Sequence, residues 1–377
     1  MKKNSIIIHV FILMLGCQAV WAMPPSSDGN DLKDKRVAGH RVLKMHDGVD
    51  IGVWLTPNVI FEDRAEMFWV GTYGGVKVYD EKRDMWTNFT KQTEKTAIGR
   101  VEFISQSSDD RLWFVSDYSG GGVGSNLNCF DGKLWQKPQT NPKDSILSRP
   151  VTAMFRGRDG RLWFAVKDEL VAYDGRQWSP RLNLSEAVGD DLSVKVKAGL
   201  QDSEGYIWLA TSVGIVRFDE GKREWRTLDP IEGGATPEDK PKPSIYVRMM
   251  LSDGVYQIYE DRKGRIWFAT TAAPVTSHLV YEKSKDSWVY YNLGNRLPKG
   301  LTEPRDLGLT VMYQDKSGRM IFGTRLGLLS FTESENKWEL FTPQNSSLPD
   351  ASIRCIFEDR SGRIWIGTGK GIVVLEP

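Results

Sequence analysis

The sequence predicts an all-β fold, a seven-bladed β-propeller of four-stranded blades whose last blade is closed by an N-terminal strand. One phrase, centred on tryptophan in all copies but one, recurs seven times in the 377 residues. The copies lie roughly 45 to 60 residues apart, which is the length of a blade of four short strands. The final copy stops one strand early, and a segment with strand character precedes the first copy. Together these observations predict a closed ring of repeated sheets.

Each copy of the phrase can be divided into strands, as in "FEDRSGRIWIGTGKGI" near the C-terminus. An alternating run that ends at its start is strand a. An Asp-x-x-Gly turn follows, in which the aspartate caps backbone amides and the glycine accepts positive φ. The tryptophan run is strand b, and a Thr-x-x-Gly turn leads into strand c. The anchor positions of the seven copies are Trp69, Trp113, Trp163, Trp208, Trp267, Ile321 and Trp365.

A second tryptophan follows strand c and a charged turn in six copies, where it marks strand d. These residues are Trp86, Trp135, Trp178, Trp225, Trp288 and Trp338. Because both sets of tryptophans recur at a fixed register, we interpret them as packing between blades rather than as platforms for a ligand. The repeated aspartates, such as Asp202 and Asp359, are interpreted as turn residues and not as general acids.

Repeat seven ends at its strand c, and this explains why the chain finishes within a repeat. The segment "HRVLKMHDG", residues 40–48, precedes the first strand a. We expect it to pair with Gly371 to Leu375, so that one blade is built from both ends of the chain. Closure of this kind leaves no open sheet edge at that point and removes a hazard of aggregation.

Composition limits the classes of function. The formal net charge is +1, which gives no electrostatic reason to expect a nucleic acid as a partner. Only 3 Cys and 4 His are present, so few metal or redox ligands exist, and we expect no cofactor and no metal. Cys129 and Cys355 lie inside apolar runs of distant repeats and are interpreted as small buried hydrophobic residues.

The N-terminus predicts export. Residues 1–22 have a basic start, an apolar stretch too short to span a bilayer and a small-residue cleavage site after Ala22. The alternative is a lipoprotein signal ending before Cys17, which would become a lipid anchor, and both interpretations stay open. Residues 23–38 are expected to form a flexible linker and residues 39–377 the propeller. The expected location is therefore periplasmic, or outer-membrane as a lipoprotein, with no transmembrane span in the mature chain.

The repeat resembles a known family. The pattern D-x-x-G-x-[IL]-W-[FIL]-[AG]-T-x-x-G-[IL], found at Asp202 to Ile215 and Asp359 to Ile372, is similar to the two-component-regulator propeller repeat. The resemblance implies the periplasmic sensor part of bacterial signalling proteins, several of which recognise oligosaccharides. Family members joined to a kinase carry two large propellers, a membrane helix and catalytic domains, whereas this chain accounts for one ring. If it signals, an envelope signalling protein must carry the message inward.

The long insertions all fall on one face of the predicted ring. In a propeller the d-to-a and b-to-c connections open on one face, and the a-to-b and c-to-d turns on the other. The b-to-c insertions are "SDYSGGGVGSN" in repeat two and "TTAAPVTSH" in repeat five. The d-to-a insertions are Pro138 to Pro150 and Leu228 to Gly254. Loops that grow on one face of a rigid scaffold favour that face as the binding surface.

The residues expected on this face suit a sugar or a peptide. Eleven residues before each anchor, strand a carries a mixed set rather than a charged ring: Asn58, Glu102, Thr152, Lys197, Tyr256, Thr310 and Arg354. Aromatic faces beside hydrogen-bonding side chains favour an oligosaccharide or peptide ligand over a dinucleotide or lipid. The predicted ligand-binding residues are Asn58, Tyr73, Arg100, Tyr118, Arg149, Lys197, Tyr256, Arg305, Arg325, Arg354 and Lys370.

Two alternatives compete with this non-catalytic recognition module. Streptogramin lyases have an architecture that this sequence resembles, and that resemblance implies a metal ion and a histidine base near the channel. Here His278 would be the base, on a loop of the elaborated face, although no carboxylate neighbours it in the sequence. The second alternative is a scaffold for another envelope protein, with Leu228 to Gly254 as the docking loop. The sequence favours a protein without catalytic activity.

Overall fold

A computed structural model of the chain shows seven antiparallel sheets arranged as blades of one ring. It describes residues 35–47, 56–90, 99–116, 126–138, 146–189, 194–228, 255–270, 277–292 and 308–376. Within these ranges six sheets have four strands and the seventh has five. The predicted all-β, seven-bladed propeller is confirmed.

The blades are numbered in chain order, and the strands of each are given in the order a, b, c and d. Blade 1 consists of Pro57–Glu62, Phe68–Thr72, Gly75–Asp80 and Met85–Thr90. Blade 2 consists of Val101–Gln106, Leu112–Ser116, Leu127–Phe130 and Trp135–Gln136. Blade 3 consists of Ala153–Arg156, Leu162–Val166, Glu169–Tyr173 and Leu182–Asn183. Blade 4 consists of Val196–Gln201, Ile207–Thr211, Gly214–Asp219 and Glu224–Leu228.

The remaining blades follow the same order. Blade 5 consists of Val255–Glu260, Ile266–Thr270, Ser277–Glu282 and Ser287–Asn292. Blade 6 consists of Val311–Gln314, Met320–Gly323, Leu328–Thr332 and Lys337–Phe341. Blade 7 takes strands a to c from Ile353–Glu358, Ile364–Thr368 and Gly371–Leu375. The helical elements of the described residues are short: Ser185–Val188 (α), and Ile146–Ser148, Lys283–Lys285 and Glu333–Glu335 (3₁₀).

The fourth strand of blade 7 comes from the N-terminal part of the chain. His40–Asp47 runs antiparallel to Gly371–Leu375, with Val42 opposite Leu375 and Asp47 opposite Gly371. The predicted closure is therefore confirmed. A further strand, Arg36–Val37, pairs with the start of His40–Asp47. Regular structure thus begins inside the segment expected to be a linker, residues 23–38, because Val37 is fully buried and belongs to the core of blade 7.

Aromatic contacts join neighbouring blades, as the repeated tryptophans predict. The anchor tryptophan of one blade packs against a phenylalanine in strand b of the next. The ring-centroid distance is 5.5 Å for Trp69 and Phe114, and 5.3 Å for Trp113 and Phe164. Trp365 stacks on Phe68 at 4.1 Å across the junction between blades 7 and 1. The six anchor tryptophans are buried, so their assignment to the core is confirmed.

The aspartate of the a-to-b turn holds both the turn and the anchor tryptophan. In blade 1, one oxygen of Asp63 accepts hydrogen bonds from the amides of Ala65 and Met67, at 2.8 and 2.9 Å. Its other oxygen accepts the indole N–H of Trp69 at 2.7 Å. The same indole bond to aspartate occurs in blades 4, 5 and 7. Both oxygens are therefore engaged in structure, which agrees with a turn role for this residue.

Strand a of every blade contacts strand a of the next, and blade 7 contacts blade 1 in the same way. The seven strands a therefore surround the axis of the ring. Cys129 and Cys355 are buried free cysteines, and burial raises the pKa of their thiols to about 11 and about 12. This agrees with their interpretation as small hydrophobic residues. Within the described ranges, no helix has the length and apolar character needed to cross a bilayer.

Candidate functional site

The residue eleven before each anchor occupies a special position, because it is where strand a breaks its regular pairing. In five blades the register of strand a shifts by one residue there, which is the signature of a β-bulge. The extra residues are Asn58, Glu102, Lys197, Tyr256 and Arg354. In blades 3 and 6 the equivalent residues, Thr152 and Thr310, stand just before strand a. Bulges redirect side chains and are frequent beside binding sites.

Two of these residues bridge to the next blade at the equivalent place. The side-chain amide of Asn58 donates to the carbonyl of Val101 at 3.4 Å. The hydroxyl of Thr310 donates to the carbonyl of Ile353 at 2.8 Å. Both bonds join the entrances of neighbouring strands a, so these two side chains stabilise the rim of the ring.

Three side chains meet at the junction of blades 1 and 2, on the face that carries the long insertions. Tyr73 lies in the b-to-c turn of blade 1, and its ring is 42% exposed. The guanidinium of Arg100 lies over this ring, 4.6 Å from its centroid. Arg100 also approaches the carboxylate of Glu102, with 3.7 Å between Nε and Oε1. We call Tyr73, Arg100 and Glu102 the rim cluster.

The rim cluster has unused hydrogen-bonding capacity. The Nε atom of Arg100 is buried and has no hydrogen-bond partner among the described residues. The side chains of Arg100 and Glu102 are 40% and 38% exposed. An aromatic face, a cation and a carboxylate are therefore accessible in one place. Such a combination can stack on a flat ligand and bind its polar groups at the same time.

Arg149, in contrast, is engaged by the protein itself. It forms an ion pair with Glu169, which also pairs with Arg181 at 2.8 Å. Burial alone would raise the pKa of Glu169, but the hydrogen bonds from Arg181 and Arg149 outweigh burial and hold this pKa below its usual value. Glu169 is thus charged and neutralised by two arginines, so the contacts of Arg149 are structural.

The channel side of blades 5 and 7 carries further polar atoms. The hydroxyl of Tyr256 is buried without a hydrogen-bond partner in the described part of the chain, and burial raises the pKa of this phenol. The Nε atom of Arg354 is likewise buried and without such a partner. Lys197 of blade 4 is half-buried. A buried polar group without a partner is costly, so the hydroxyl of Tyr256 and the Nε atom of Arg354 are suited to bind a ligand or ordered water.

The other predicted residues are dispersed. Arg325 lies in the b-to-c turn of blade 6 and Lys370 in that of blade 7, and both are exposed. Tyr118 and Arg305 lie outside the described residues, as do residues 229–254 of the proposed docking loop. The structure thus brings Tyr73 and Arg100 together, and distributes the other predicted residues that it describes among several blades.

His278 is not a loop residue, so that expectation was wrong. It is the second residue of strand c of blade 5, opposite Ala269 of strand b and Tyr291 of strand d. The strand begins earlier than the sequence suggests because strand d continues to Asn292 and offers Ser277 a partner. Among the described residues, no group of three or more His, Cys, Asp and Glu side chains is placed to hold a metal ion.

The opposite face carries a groove that the sequence analysis missed. It lies between blades 2 and 3 and has a volume of about 470 Å³. Its lining includes Arg111, Gln136, Arg176 and Trp178. A signal was present in the sequence: Gly175 stands in the c-to-d turn at the position where blades 1, 4 and 6 carry Glu. That signal becomes visible only when the turns of neighbouring blades are compared.

Known structures share the fold. An extracellular domain assigned to a one component system of B. thetaiotaomicron superposes with a TM-score of 0.62 and 16% identity, over 86% of this chain and 38% of that one. One assigned to a hybrid two component system of the same organism gives 0.61 and 18%, over 86% and 39%. The chain spans about two fifths of these relatives. Such low identities show the fold alone.

A lyase shares the fold as well. A catalytically inactive form of virginiamycin B lyase from Staphylococcus aureus, solved with Quinupristin, has a TM-score of 0.60 and 13% identity. The match covers 88% of this chain and 98% of that one. A comparison with curated protein sequences gives no match. The same fold occurs in a lyase and in extracellular domains of signalling systems, so it does not indicate whether this protein is an enzyme or a binding protein.

The family comparison addresses the repeat itself. Residues 250–272 and 347–370 match the model described as the two component regulator propeller. The second segment includes the a-to-b turn and strand b of blade 7, which carry the pattern that predicted the resemblance. The chain therefore carries two component regulator propeller repeats, and the resemblance predicted from its sequence is confirmed.

Proposed function

We propose that this protein is an exported, non-catalytic recognition module that binds an oligosaccharide or peptide ligand on the face of the d-to-a and b-to-c connections. The observation that carries the proposal is the rim cluster. There the exposed ring of Tyr73 lies under the guanidinium of Arg100, and Glu102 adds an accessible carboxylate. The bulge in strand a places Glu102 at the entrance of the ring.

The chemistry of the cluster matches such a ligand. The apolar face of a sugar or a peptide side chain can pack on the tyrosine ring, and the arginine can donate to hydroxyl, carbonyl or carboxylate groups. Because Arg100 is already held against Tyr73, less conformational entropy is lost when a ligand binds. Tyr256 and Arg354 would extend the same surface around the channel.

The structural relatives of this propeller support a role in sensing. The structural relatives from B. thetaiotaomicron are extracellular domains assigned to one component and hybrid two component systems. By analogy, this ring would bind its ligand outside the cytoplasm, as a periplasmic protein or as a lipoprotein anchored at Cys17. An envelope signalling protein would then receive the bound ring as its partner.

Ligand screening with paired variants tests the proposal. The mature protein, residues 23–377, is screened by thermal shift against neutral and anionic oligosaccharides and short peptides. A ligand at 100 times its Kd stabilises the native state by about 2.7 kcal/mol. Calorimetric titration of the hit into Tyr73→Ala and Arg100→Gln should show a loss of affinity of roughly tenfold each.

The control is Lys133→Ala, on the c-to-d turn of blade 2. Lys133 is exposed on the opposite face, and its side chain makes no hydrogen bond or ion pair with the described residues. This variant should bind as the wild type does. Equal affinity of all three variants would place the ligand elsewhere. A panel without any hit would favour the scaffold alternative, in which a protein docks on residues 228–254.

A further inference from the structure

The junction between blades 2 and 3 lacks an ion pair that other junctions have. The residue before strand b is arginine in five blades: Arg111, Arg161, Arg265, Arg319 and Arg363. Three of these bind a glutamate in the c-to-d turn of the following blade through both terminal nitrogens, at 2.6 to 2.9 Å. The pairs are Arg161 with Glu220, Arg265 with Glu333, and Arg363 with Glu81. Arg319 instead donates to the carbonyl of Ala38 in the closing hairpin.

Arg111 has no such acceptor from blade 3. Its ion-pair partner is Asp109 of its own turn, at 3.3 Å from Nε, and no bond of its terminal nitrogens occurs within the described residues. Asp109 is also shared, because it accepts the hydroxyl of Tyr173 at 2.9 Å and that of Ser107. The side chain of Arg111 is about half exposed. It therefore retains two donors in the geometry that binds a carboxylate.

Glycine replaces the glutamate at this junction for a steric reason. Gly175 has a φ of +97°, which L side chains rarely adopt. A Cβ atom there would lie 1.9 Å from the hydroxyl of Ser108. That hydroxyl donates to the carbonyl of Asp174, so the turn of blade 3 lies directly against blade 2. The backbone contact has displaced the side-chain ion pair.

A second contact found at other junctions is also missing here. In five junctions a Gln or Glu at the end of strand a accepts the amide of the second residue in the preceding blade's a-to-b turn. Blade 3 has Arg156 at that position, which cannot accept, and it donates to the carbonyl of Gln106 at 3.0 Å. Strand d is also only two residues long in blades 2 and 3. The junction between blades 2 and 3 therefore lacks both of these side-chain contacts.

These changes leave the groove of about 470 Å³, a volume in the range of ligand pockets. Arg111 and Arg176 contribute positive charge, and Gln136 contributes an amide. Trp178 and Pro138 contribute apolar surface. None of the described residues that line the groove carries a carboxylate, but Asp109 beside it engages the Nε side of Arg111. The terminal nitrogens of Arg111 are the donors that this contact leaves for a ligand.

We propose that this groove is a second binding site, which takes an acidic peptide segment of a partner protein and places a Glu or Asp carboxylate on Arg111. The incoming carboxylate accepts hydrogen bonds from both terminal nitrogens of Arg111. The glutamate of the following blade accepts the same pair of bonds from Arg161, Arg265 and Arg363. Arg176 lies beside the incoming carboxylate as a donor to the peptide backbone, and Trp178 packs against a neighbouring side chain. The side-chain nitrogen of Gln136 already donates to Asp131 at 2.6 Å, so Gln136 offers its side-chain oxygen as an acceptor. The site is on the face opposite the rim cluster, so a protein could dock there while a ligand occupies the rim.

A peptide matches the groove better than an acidic sugar does. At the three junctions that have the ion pair, the arginine in this position binds a carboxylate that belongs to a turn of the polypeptide. The anchor tryptophan of the groove, Trp113, is only 2% exposed, so Trp178 is the tryptophan of the lining that can pack against the ligand. A bound acidic peptide would therefore form the same arginine–carboxylate pair that occurs at three other junctions.

The proposal is tested by NMR titration, which monitors the side-chain signals of the arginines. The probe is acetyl-Asp-Glu-Gly-amide, which has the sequence of the turn that binds Arg161, titrated to roughly 20 mM because one ion pair gives only weak affinity. The comparison peptide is acetyl-Asn-Gln-Gly-amide. The Nε–H signals of Arg111 and Arg176, assigned through Arg111→Gln and Arg176→Gln, should shift with the first peptide only. Arg111→Gln should weaken binding about tenfold or more.

The matched control is Arg363→Gln, the same repeat position at a junction that retains its glutamate. It should lower the Tm and leave peptide binding unchanged, whereas Arg111→Gln should leave the Tm nearly unchanged and remove binding. Equal binding by wild type and Arg111→Gln, or no shift at Arg111 with the acidic peptide, would overturn the proposal. Binding of trigalacturonate in place of the peptide would also overturn it, in favour of a sugar site. Loss of ligand binding in the rim variants has no bearing on this result.

Discussion

The indole nitrogen of Trp113 donates a 2.8 Å hydrogen bond to the hydroxyl of Ser107, whereas the equivalent nitrogen of Trp163 in blade 3 is buried and has no partner in the described structure. Gly157 stands where Ser107 stands in blade 2. Both blades carry an aspartate two residues later, Asp109 and Asp159, but blade 3 lacks the hydroxyl that accepts the indole N–H in blade 2. A buried donor without an acceptor costs free energy.

Gly157→Ser should therefore stabilise the protein by about 1 kcal/mol, because it supplies the acceptor that Trp163 lacks. The φ of Gly157 is not among the positive values, so serine fits the backbone. The added Cβ would lie 2.8 Å from the side-chain oxygen of Gln201 and 2.8 Å from Oδ1 of Asp159, so the ends of both side chains have to move. Urea unfolding followed by tryptophan fluorescence measures the change.

The reciprocal variant is Ser107→Gly, which should lower the free energy of unfolding by about 1 to 3 kcal/mol. If both substitutions destabilise the protein equally, the missing acceptor is not what limits the stability of blade 3.

Removal of the closing strand should change the state of association. A protein that begins at residue 48 would expose the edge of Gly371–Leu375, and its unpaired backbone groups would pair with another chain. We expect oligomers or insoluble material in size-exclusion chromatography with light scattering. A protein that begins at residue 35 keeps both N-terminal strands and should be well behaved. A folded monomer from the shorter protein would contradict the closing role of this strand.

Acid should weaken the junction of blades 5 and 6. Hydrogen bonds from Arg265, opposed by burial and aided by Lys263, lower the pKa of Glu333 to about 2. A carboxylate whose pKa is lower in the folded than in the unfolded state adds stability above its unfolded pKa. That contribution disappears as the pH falls from about 4.5 towards 2. Because Glu333 is partly exposed, we expect only about 1 kcal/mol.

Glu333→Gln tests this assignment. The variant should be less stable than the wild type at pH 7, and the difference should shrink as the pH falls towards 2. Unfolding curves of both proteins at several pH values give the comparison. A difference that does not depend on pH would mean that the charge of Glu333 is not the source of its contribution.

His278→Ala distinguishes recognition from lyase chemistry. A binding protein should keep its ligand affinity, within about threefold, when this strand residue is truncated. If the protein instead turns over Quinupristin and the variant loses that turnover completely, the enzyme alternative is correct. Product formation followed by mass spectrometry, with His46→Ala as the companion variant in the closing strand, makes the measurement.

Much of the fold could be predicted because each blade repeats the same local chemistry. The position of Asp202, four residues before the hydrophobic run around Trp208, defines a turn and a strand without reference to any other blade. Even the closing partner of Gly371–Leu375 could be predicted, since only one strand-like segment was left over. The start of strand c in blade 5 was not predictable, because Ser277 and His278 follow a polar, proline-containing run and belong to the strand only through their partners in strand d.

The candidate sites divide in the same way. The sequence identified Tyr73 and Arg100 as members of one face, but their stacking depends on how blades 1 and 2 meet. The signal for Arg111, a glycine at position 175 where other blades carry glutamate, becomes visible only when the turns of neighbouring blades are compared. Contacts between blades join residues about 60 positions apart, so a pattern confined to one repeat does not contain them.

The pairing of Val42 with Leu375 also determines when the molecule can finish folding. These residues are separated by most of the chain, so the N-terminal strand has no partner until synthesis has reached the last repeat. Blades 1 to 6 consist of local hairpins and can form in order as they emerge, whereas blade 7 must wait and then requires a contact of very large sequence separation, which is intrinsically slow. The last step of folding is thus a single docking event, and a chain that has not yet made it is still a curved row of sheets with two free ends.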